Sequence, residues 1–266
     1  DADVIDYVQR AVGKTFTADA VEQAMFIAIG TGANGKTTFL NAIMAAMGPY
    51  AAKMAATTLL QQKNGGDSAR NDIATLEGVR LAACAESGLG RKLNEEWVKE
   101  LTGNEKIKAK RLYLDLYEVA PTWNIWLATN HKPVVRGTDL SIWRRLKVIP
   151  FNVTIPLESQ DRTLPDKLKT ELPGILAWGV RGCLKWQKYK LVEPKSITKA
   201  GLNYRDEMDF VATFLDECCV VEEGARATSA VLYKRYLRWA KESHEPELSK
   251  KAFGERLAAK GFKDVR

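Results

Sequence analysis

Residues 25–38 read MFIAIGTGANGKTT, and this stretch decides the fold class of the chain. Met25–Ile29 is a short, wholly apolar run, which is typical of a buried strand in a parallel sheet. The residues that follow fit the pattern G-x-x-x-x-G-K-[ST], whose glycines let backbone N–H groups approach and surround phosphate oxygens. A helix is predicted from Lys36 to about Met47, and its positive end would face the same anions. The order of strand, loop and helix therefore predicts a phosphate-binding loop.

The loop residues have distinct expected roles in binding a nucleotide. Lys36 would reach the β- and γ-phosphates, and the Thr37 hydroxyl would ligate Mg²⁺. ATP and Mg²⁺ are therefore the expected cofactors. The predicted nucleotide-binding residues are Gly30, Thr31, Gly32, Ala33, Asn34, Gly35, Lys36, Thr37 and Thr38.

Further apolar runs along the chain extend the predicted sheet. The candidate strands are Val79–Ala85, Ile125–Thr129 and Leu146–Ile149. Helical stretches are predicted at residues 17–24 and 171–189, the second with an interruption at Pro173–Gly174. Strands that alternate with helices predict an α/β fold with a parallel central sheet.

Polar residues follow two of these strands. Glu86 ends the run at residues 79–85, where a carboxylate beside the phosphate loop can hold Mg²⁺ or orient the attacking water. Because Ala85 precedes it, either one carboxylate does both jobs or a water replaces the second ligand. Asn130 ends the next strand and could contact the γ-phosphate or that water, although asparagine is also common in turns at strand ends. Thr37 and Glu86 are the predicted metal ligands, and Lys36, Glu86 and Asn130 are predicted to be catalytic.

Two adjacent arginines, Arg144 and Arg145, precede the last candidate strand. Arginine is the usual side chain that stabilises charge in phosphoryl transfer, and it is supplied either by the same chain or by a neighbour. Both are therefore candidate catalytic residues. The alternative is a pair of arginines that form salt bridges at the surface.

Four segments in this order resemble a known family of motors. They are GTGANGKTT, LAACAESG, KELTGNEKIKAKRLY, and ATNHKP followed by GTDLSIWRRLKVIPF. Together they resemble the superfamily 3 helicases, especially the primase-helicases of phages, plasmids and poxviruses. The resemblance covers roughly residues 5 to 190, and residues 204 to 266 are more weakly similar to the domain that follows the motor.

The resemblance implies an AAA+ P-loop fold and a homo-oligomeric, hexameric ring that hydrolyses ATP between subunits and translocates on single-stranded or forked DNA. It places Arg144 or Arg145 at the subunit boundary as an arginine finger, without deciding between them. A primase domain is expected to be fused upstream or to lie nearby. The first residue is Asp1 rather than Met, so we expect the chain to be part of a longer protein.

The same resemblance implies a DNA-contacting hairpin between the second and third strands. The matching stretch runs through residues 106–113, turns near Asp115 and returns through Tyr117 and Val119. Its alternation of lysines and apolar residues suits a strand with one charged face, which binds phosphates or is simply solvated. The family commonly has arginine where this chain has Lys110, which keeps the charge without the bidentate fork. The predicted DNA-binding residues are Lys106, Lys108, Lys110 and Arg111.

The pattern changes after a plausible linker at Leu191–Pro194. We predict a helicase domain at residues 1–195 and a helical, winged-helix-like segment at residues 196–266. Its expected helices are Asp206–Val220, one capped by Ser229, and one capped by Ser249 that ends at Gly261, before a strand that starts at Phe262. The cations of the last helix suit a DNA recognition helix or any solvent-facing helix; they are Lys250, Lys251, Arg256 and Lys260.

Charge, cysteine and histidine content and the lengths of the apolar runs indicate which partners and cellular location to expect. The net charge of +7 is compatible with nucleic acid as a partner. The four cysteines form no C-x-x-C pair and the two histidines lack a cluster of ligand-type residues, so we expect free cytosolic thiols and no zinc site. Neither a secretory signal nor an apolar run of about 20 residues is visible. The expected location is the cytoplasm of the host cell, without a membrane partner.

Two other ATP-dependent functions remain to be weighed against a helicase. An AAA+ protein that loads on or remodels DNA would keep Lys36 and Glu86 but would not separate strands. A small-molecule kinase would need an acceptor pocket and a mobile lid, and the stretches LTGNEKIKAKR and IWRRL have no evident role there.

Overall fold

The computed structural model describes residues 1–19, 21–61, 71–86, 88, 90–111, 115–137, 139–222 and 224–263, and of Glu86 it describes the backbone alone. The chain divides into two compact units, Asp1–Tyr204 and Arg205–Arg266. Within the described ranges, no helix is long and apolar enough to cross a membrane.

The strands of the first unit form a sheet and a separate hairpin. They are β1 (Met25–Ile29), β2 (Ala51–Lys53), β3 (Leu81–Glu86), β4 (Ile107–Lys110), β5 (Leu116–Val119), β6 (Asn124–Thr129) and β7 (Leu146–Pro150). Five of them form a parallel sheet in the order β2-β3-β6-β1-β7, and β4 pairs with β5 in antiparallel register. The predicted α/β fold with a parallel central sheet is confirmed.

The described helices flank the sheet of the first unit and make up most of the second. They are α1 (Ala2–Thr15), α2 (Lys36–Met47), α3 (Glu95–Leu101), α4 (Leu140–Trp143), α5 (Leu164–Thr170), α6 (Leu172–Tyr189), α7 (Lys195–Glu207), α8 (Phe210–Cys218), α9 (Ser229–Glu242) and α10 (Lys250–Ala259). β1 and α2 have the predicted bounds, with a buried strand leading into the helix through a glycine-rich loop.

The helix predicted at residues 17–24 is wrong. The helix of this region is α1, which ends at Thr15. After it, the Thr17 hydroxyl oxygen accepts a hydrogen bond from the Asp19 backbone N–H, and the Asp19 carboxylate accepts one from the Val21 N–H. Such short polar side chains compete with the backbone bonds of a helix and favour turns.

The interruption predicted at Pro173–Gly174 is also wrong. α6 runs without a break from Leu172, and Pro173 occupies its first turn. The backbone N–H groups of a first turn have no partner within the helix, so proline costs little there.

α1 packs along α6 with the two backbones in contact. A Cβ atom on Gly13 would lie 2.0 Å from the Cys183 nitrogen, and one on Gly182 would lie 2.0 Å from the Gln9 carbonyl oxygen. Only glycine fits at such a separation. The contact helps to bury one face of α1, where Tyr7 and Ala11 are fully shielded from solvent.

We expect Gly182→Ala to lower the free energy of unfolding by about 1–2 kcal/mol, because the overpacking outweighs the gain of about 1 kcal/mol that alanine brings to a helix. The matched control is Gly201→Ala in α7, where an added Cβ would meet no heavy atom within 4 Å. That change should stabilise the chain by about 0.5–1 kcal/mol. Urea titrations followed by circular dichroism measure both. Equal stabilisation by the two changes would contradict the close approach of α1 and α6.

The second unit is built around an aromatic cluster. The ring of Phe214 lies 5.5 Å from that of Tyr236, 5.7 Å from Trp239 and 6.1 Å from Phe253, centroid to centroid. These four side chains come from α8, α9 and α10 and give the unit a core of its own.

The helix predicted over Asp206–Val220 is wrong as one element. The helix is interrupted at Asp209, whose carboxylate accepts a hydrogen bond from the Ala212 N–H and caps α8. α9 is capped by Thr228 rather than Ser229. The cap of α10 at Ser249 is confirmed. The strand predicted from Phe262 is absent at residues 262–263, and the rest of it lies outside the described residues.

Three of the four cations predicted on the last helix have a partner within the second unit. Arg256 is buried and donates to the Met208 carbonyl oxygen at 3.1 Å, and Lys260 pairs with Asp209. Lys251 is exposed and its Nζ lies 3.9 Å from a Glu255 carboxylate oxygen, and Lys250 is exposed. A DNA contact through α10 would therefore depend on its first turn.

Candidate nucleotide-binding site

The loop between β1 and α2 turns tightly through residues with positive φ angles. Gly32 and Gly35 have positive φ angles of 115° and 81°, which glycine adopts without a steric penalty. Ala33 also lies in the left-handed region, at φ 47°, where a side chain costs roughly 1–2 kcal/mol. Strain of this kind, held by the surrounding structure, is typical of a ligand-binding loop.

The Lys36 ammonium lies against its own loop. Its Nζ donates to the Gly30 carbonyl oxygen at 2.7 Å and to Asn34 Oδ1 at 2.8 Å. The residue is buried, and this loss of hydration lowers the pKa of Lys36. The charge that would meet a phosphate is thus held in place by two neutral oxygens.

A cavity of about 430 Å³ opens over the loop at the carboxyl edge of the sheet. The residues that line it are Gly32, Ala33, Asn34, Gly35, Lys36, Thr37, Thr38, Ala85, Ala128 and Asn130. Because β1, β6 and β3 are adjacent and parallel, the ends of these strands meet there, with Thr129 in register with both Ile29 and Glu86. The structure therefore brings the loop and Asn130 together, beside the strand end that carries Glu86. The Glu86 side chain is outside what the structure describes.

The loop is tied to the segment that follows β7, a feature that the sequence did not indicate. Asn34 Nδ2 donates to the Phe151 carbonyl oxygen at 3.1 Å, and the Ile155 N–H donates to the Ala33 carbonyl oxygen at 2.7 Å. Asn34 thereby bridges Lys36 and Phe151 with its two amide atoms. No spacing pattern marks such a role, because both partners of the segment are backbone groups.

Arg144 and Arg145 lie at the opposite edge of the sheet from the loop. The Met25 N–H, at the amino end of β1, donates to the Arg145 carbonyl oxygen at 2.8 Å. β1 has five residues, which separate this edge from the loop by roughly 16 Å at about 3.3 Å per residue. The structure does not bring either arginine to the phosphate loop of its own chain.

The two arginines differ in their surroundings. Arg145 is buried and donates to the Ser141 carbonyl oxygen at 2.6 Å and to Gln23 Oε1 at 2.6 Å. Arg144 is exposed and donates to the same Gln23 Oε1 at 3.0 Å. Only Arg144 therefore presents its guanidinium to solvent.

A carboxylate that the sequence did not single out orders the chain between Asn130 and these arginines. Glu95 Oε1 accepts hydrogen bonds from the backbone N–H groups of Arg136 and Gly137 at 2.7 and 2.8 Å. A Cβ on Gly137 would lie 2.1 Å from Glu95 Oε2, and the Gly137 carbonyl oxygen accepts from Trp143 Nε1 at 3.0 Å. Glu95 thus connects α3 to the loop that leads into α4.

The expected hairpin is present as β4 and β5. Ile107 and Ala109 are buried while Lys108 is exposed, so the strand has one charged face. Residues 112–114, between the strands, lie outside the described residues.

Two of the four predicted DNA-binding cations are paired with carboxylates of this chain. Lys106 Nζ lies 3.7 Å from a Glu118 carboxylate oxygen, and Arg111 lies 2.8 Å from one of Glu77. Across the part of the chain that is described, Lys108 and Lys110 form no such pair. These two lysines are the cations of the hairpin best placed to meet phosphates.

Two family models match this chain. Residues 28–145 match a family described as of unknown function, DUF5906. Residues 206–264 match a family described as poxvirus D5 protein-like. The first match contains the loop, the hairpin and both arginines, and the second falls within the second compact unit.

Curated relatives come from large DNA viruses. A provisionally named helicase of Acanthamoeba polyphaga mimivirus is 24% identical over 263 residues, which are 92% of this chain and 27% of that protein. A provisionally named helicase of frog virus 3 is 26% identical over 86% of this chain and 26% of its own length. A provisionally named primase of African swine fever virus is 24% identical over 47% of this chain and 13% of its own. The chain thus spans about a quarter of the length of the two helicase-named relatives.

Solved structures share the fold. The apo A form of the C-terminal region of NrS-1 superposes with a TM-score of 0.58 at 14% identity and covers 91% of this chain and 57% of that one. A second structure of the same region gives a TM-score of 0.51 at 13% identity. At these identities the likeness concerns the fold alone.

Proposed function

Because this chain is a protein of the superfamily 3 primase-helicase type, we propose that residues 1–195 are the ATP-hydrolysing motor of a DNA helicase that acts in viral, phage or mobile-element replication. One observation supports this most strongly. The phosphate loop and Asn130 line a single cavity at the edge of the sheet where β3 ends in Glu86.

The surroundings of Lys36 favour an anionic ligand in this cavity, and we propose that the ligand is ATP with Mg²⁺. Among the described residues, both acceptors of the buried Lys36 ammonium, the Gly30 carbonyl and Asn34 Oδ1, are neutral. A buried cation that meets only neutral oxygens is stabilised when an anion binds beside it. In the proposed complex Lys36 binds the β- and γ-phosphates, and Thr37 and Glu86 hold the metal. Bound Mg²⁺ would neutralise charge on the phosphate oxygens.

The remaining groups would assist hydrolysis. Asn130 contacts the γ-phosphate or the attacking water from the end of β6. Arg144 acts on the neighbouring subunit, because its guanidinium is exposed at the far edge of the sheet and cannot reach its own loop. A site completed by a neighbour requires a homo-oligomer, and we propose a hexameric ring with heterologous contacts.

DNA is the proposed substrate of the ring. Lys108 and Lys110 of the hairpin would contact phosphates of single-stranded or forked DNA, without sequence preference and with strong salt dependence. We also propose that a primase is fused upstream of this chain or encoded nearby, and that the protein acts in the cytoplasm of the host cell. An AAA+ ATPase that loads on or remodels DNA is the second candidate, since two of the four hairpin cations are paired with Glu118 and Glu77 of this chain.

We expect the chain to separate the strands of a forked DNA when ATP is hydrolysed, and we expect the double change Lys108→Ala and Lys110→Ala to abolish this. The slope of the logarithm of single-strand affinity against the logarithm of salt concentration should fall by about 1.4, at about 0.7 for each DNA phosphate that a lysine no longer neutralises. ATP hydrolysis without DNA should stay the same. Fluorescence anisotropy across a salt series, strand displacement and ATP turnover measure the three quantities.

The matched control is the double change Lys167→Ala and Lys169→Ala, which removes the same charge from exposed lysines of α5. It should leave strand separation and the salt slope unchanged. An unchanged slope in the hairpin variant would place the DNA contacts elsewhere, with Lys250 and Lys251 as the next candidates. Rapid DNA-stimulated ATP turnover without any strand separation would favour the loading or remodelling function.

A further inference from the structure

Gln23 lies where the segment before β1 meets the two arginines. Its Oε1 accepts from Arg144 Nη2 at 3.0 Å and from Arg145 Nη2 at 2.6 Å. An amide oxygen has two lone pairs and can satisfy two donors at once. One neutral side chain therefore holds two like-charged guanidinium groups next to each other.

The two guanidinium groups repel each other, and the shared Gln23 oxygen offsets part of this repulsion. Both guanidinium groups lie within 3.0 Å of the same Gln23 oxygen, so their positive charges are close enough to disfavour each other. Burial, and next the charge of Arg144, lower the pKa of Arg145, while the charge of Asp139 acts in the opposite direction. Arg145 cannot move away, because it is buried and also bonded to the Ser141 carbonyl oxygen, while its own carbonyl holds the start of β1. Without a shared acceptor, the exposed Arg144 side chain would be the one to swing outward.

We propose that Gln23 is a positioning residue that holds the exposed guanidinium of Arg144 in the orientation in which it meets the nucleotide of a neighbouring subunit. The inference rests on the proposed function and assigns a part of the site that neither the motifs nor the family matches mark. Gln23 and Arg144 line one open cavity of about 400 Å³ at the amino edge of the sheet. Arg144 therefore borders an open cavity, while its hydrogen bond to Gln23 fixes its orientation.

Arg145 has a structural part in this arrangement. Its buried guanidinium donates to Gln23 and so helps to hold that side chain in place. The hydrogen bond from the Met25 backbone N–H to the Arg145 carbonyl oxygen fixes Arg145 to the first residue of β1. Positioning of this kind matters for phosphoryl transfer, because a misplacement of about 1 Å can cost about a hundredfold in rate.

The test compares Gln23→Leu, which keeps the size but removes the acceptor, with Gln23→Glu, which keeps an acceptor for both arginines. We expect Gln23→Leu to lower ATP turnover by about tenfold to a hundredfold with unchanged ATP affinity, and Gln23→Glu to recover part of that loss. Gln187→Leu on the exposed face of α6 is the control and should hydrolyse ATP normally. Thermal unfolding is followed in parallel for all variants.

Mixing experiments separate positioning from a general structural defect. Gln23→Leu chains mixed with Lys36→Ala chains should regain turnover, because the Lys36→Ala chain still lends a well-placed Arg144. Mixed with Arg144→Ala chains they should regain nothing, because neither partner lends one. Normal ATP turnover in Gln23→Leu would overturn the inference. Equal recovery of turnover with Lys36→Ala and with Arg144→Ala chains would also overturn it. In either case, an Arg144→Ala chain with impaired turnover would leave the proposed function standing. Normal turnover in Arg144→Ala itself would overturn the inference and the role of Arg144 between subunits, whereas the ATPase assignment is tested separately by Lys36→Ala.

Discussion

Lys36→Ala is expected to reduce ATP turnover by about a thousandfold or more while the chain stays folded. The lysine would neutralise charge that builds on the transferring phosphate in the cavity over the loop. Removing one preorganised donor of this kind typically costs about 2.7–4 kcal/mol, or about 10²–10³ in rate, and the loss of a full charge should cost at least as much. A steady-state ATPase assay with circular dichroism of mutant and parent measures both parts of the prediction.

The fold should tolerate this change because of where the ammonium is bonded. Its two acceptors, the Gly30 carbonyl oxygen and Asn34 Oδ1, belong to the loop itself rather than to the core. Burial of this charge also disfavours folding, as its lowered pKa indicates. Lys53→Ala, an exposed lysine of β2, is the control and should hydrolyse ATP normally. Near-normal hydrolysis by folded Lys36→Ala chains would contradict the assignment of the loop.

The sequence predicted β1, β3, β6 and β7, whose residues are mostly buried, but not the short edge strand β2, none of whose residues is buried. The first four residues of β1 and all six of β6 are buried, so Met25–Ala28 and Ile125–Ala128 read as continuous apolar runs that no solvent-facing polar residue interrupts. The glycines of the loop carry an equally local signal, since a positive φ angle restricts the residue type by itself.

Other features depend on partners far away in the sequence. The contact between α1 and α6 brings Gly13 against Cys183 and Gly182 against Gln9. A glycine inside a helix weakens the local helical signal, and its compensation appears only when the second helix is in place. The break before α8, in contrast, has a local cause, since the Asp209 carboxylate caps a new helix.

The adjacent arginines show the same limit at the candidate site. Both residues have the same chemistry and the same neighbours in sequence, so the pattern could not decide between them. The difference is burial, which the fold creates by turning Arg145 toward Ser141 and leaving Arg144 exposed. Gln23 escaped prediction for the same reason, because it meets them only after β1 and β7 pair.

Arg144→Ala chains should be almost inactive alone and should regain activity when mixed with Lys36→Ala chains. An arginine that stabilises the charge on a neighbour's transferring phosphate is worth about 10³–10⁵ in rate in related chemistry. The Arg144→Ala chain keeps its own loop but cannot serve its neighbour, whereas the Lys36→Ala chain cannot hydrolyse but can still lend its arginine. In a random equal mixture about one site in four combines an intact loop with an intact arginine, so about a quarter of wild-type turnover should return.

Arg145→Ala is the comparison that distinguishes a finger from an anchor. Its loss leaves the Ser141 carbonyl oxygen without the donor it has in the fold, so we expect a lower melting temperature than for Arg144→Ala, which removes an exposed side chain. The assay is ATP turnover against mixing ratio, above the concentration at which rings assemble. Rescue of Arg145→Ala but not of Arg144→Ala would reverse the two roles. If neither is rescued in samples shown to contain mixed rings, each site is completed within one subunit, and the shared-site ring is the wrong mechanism for this motor.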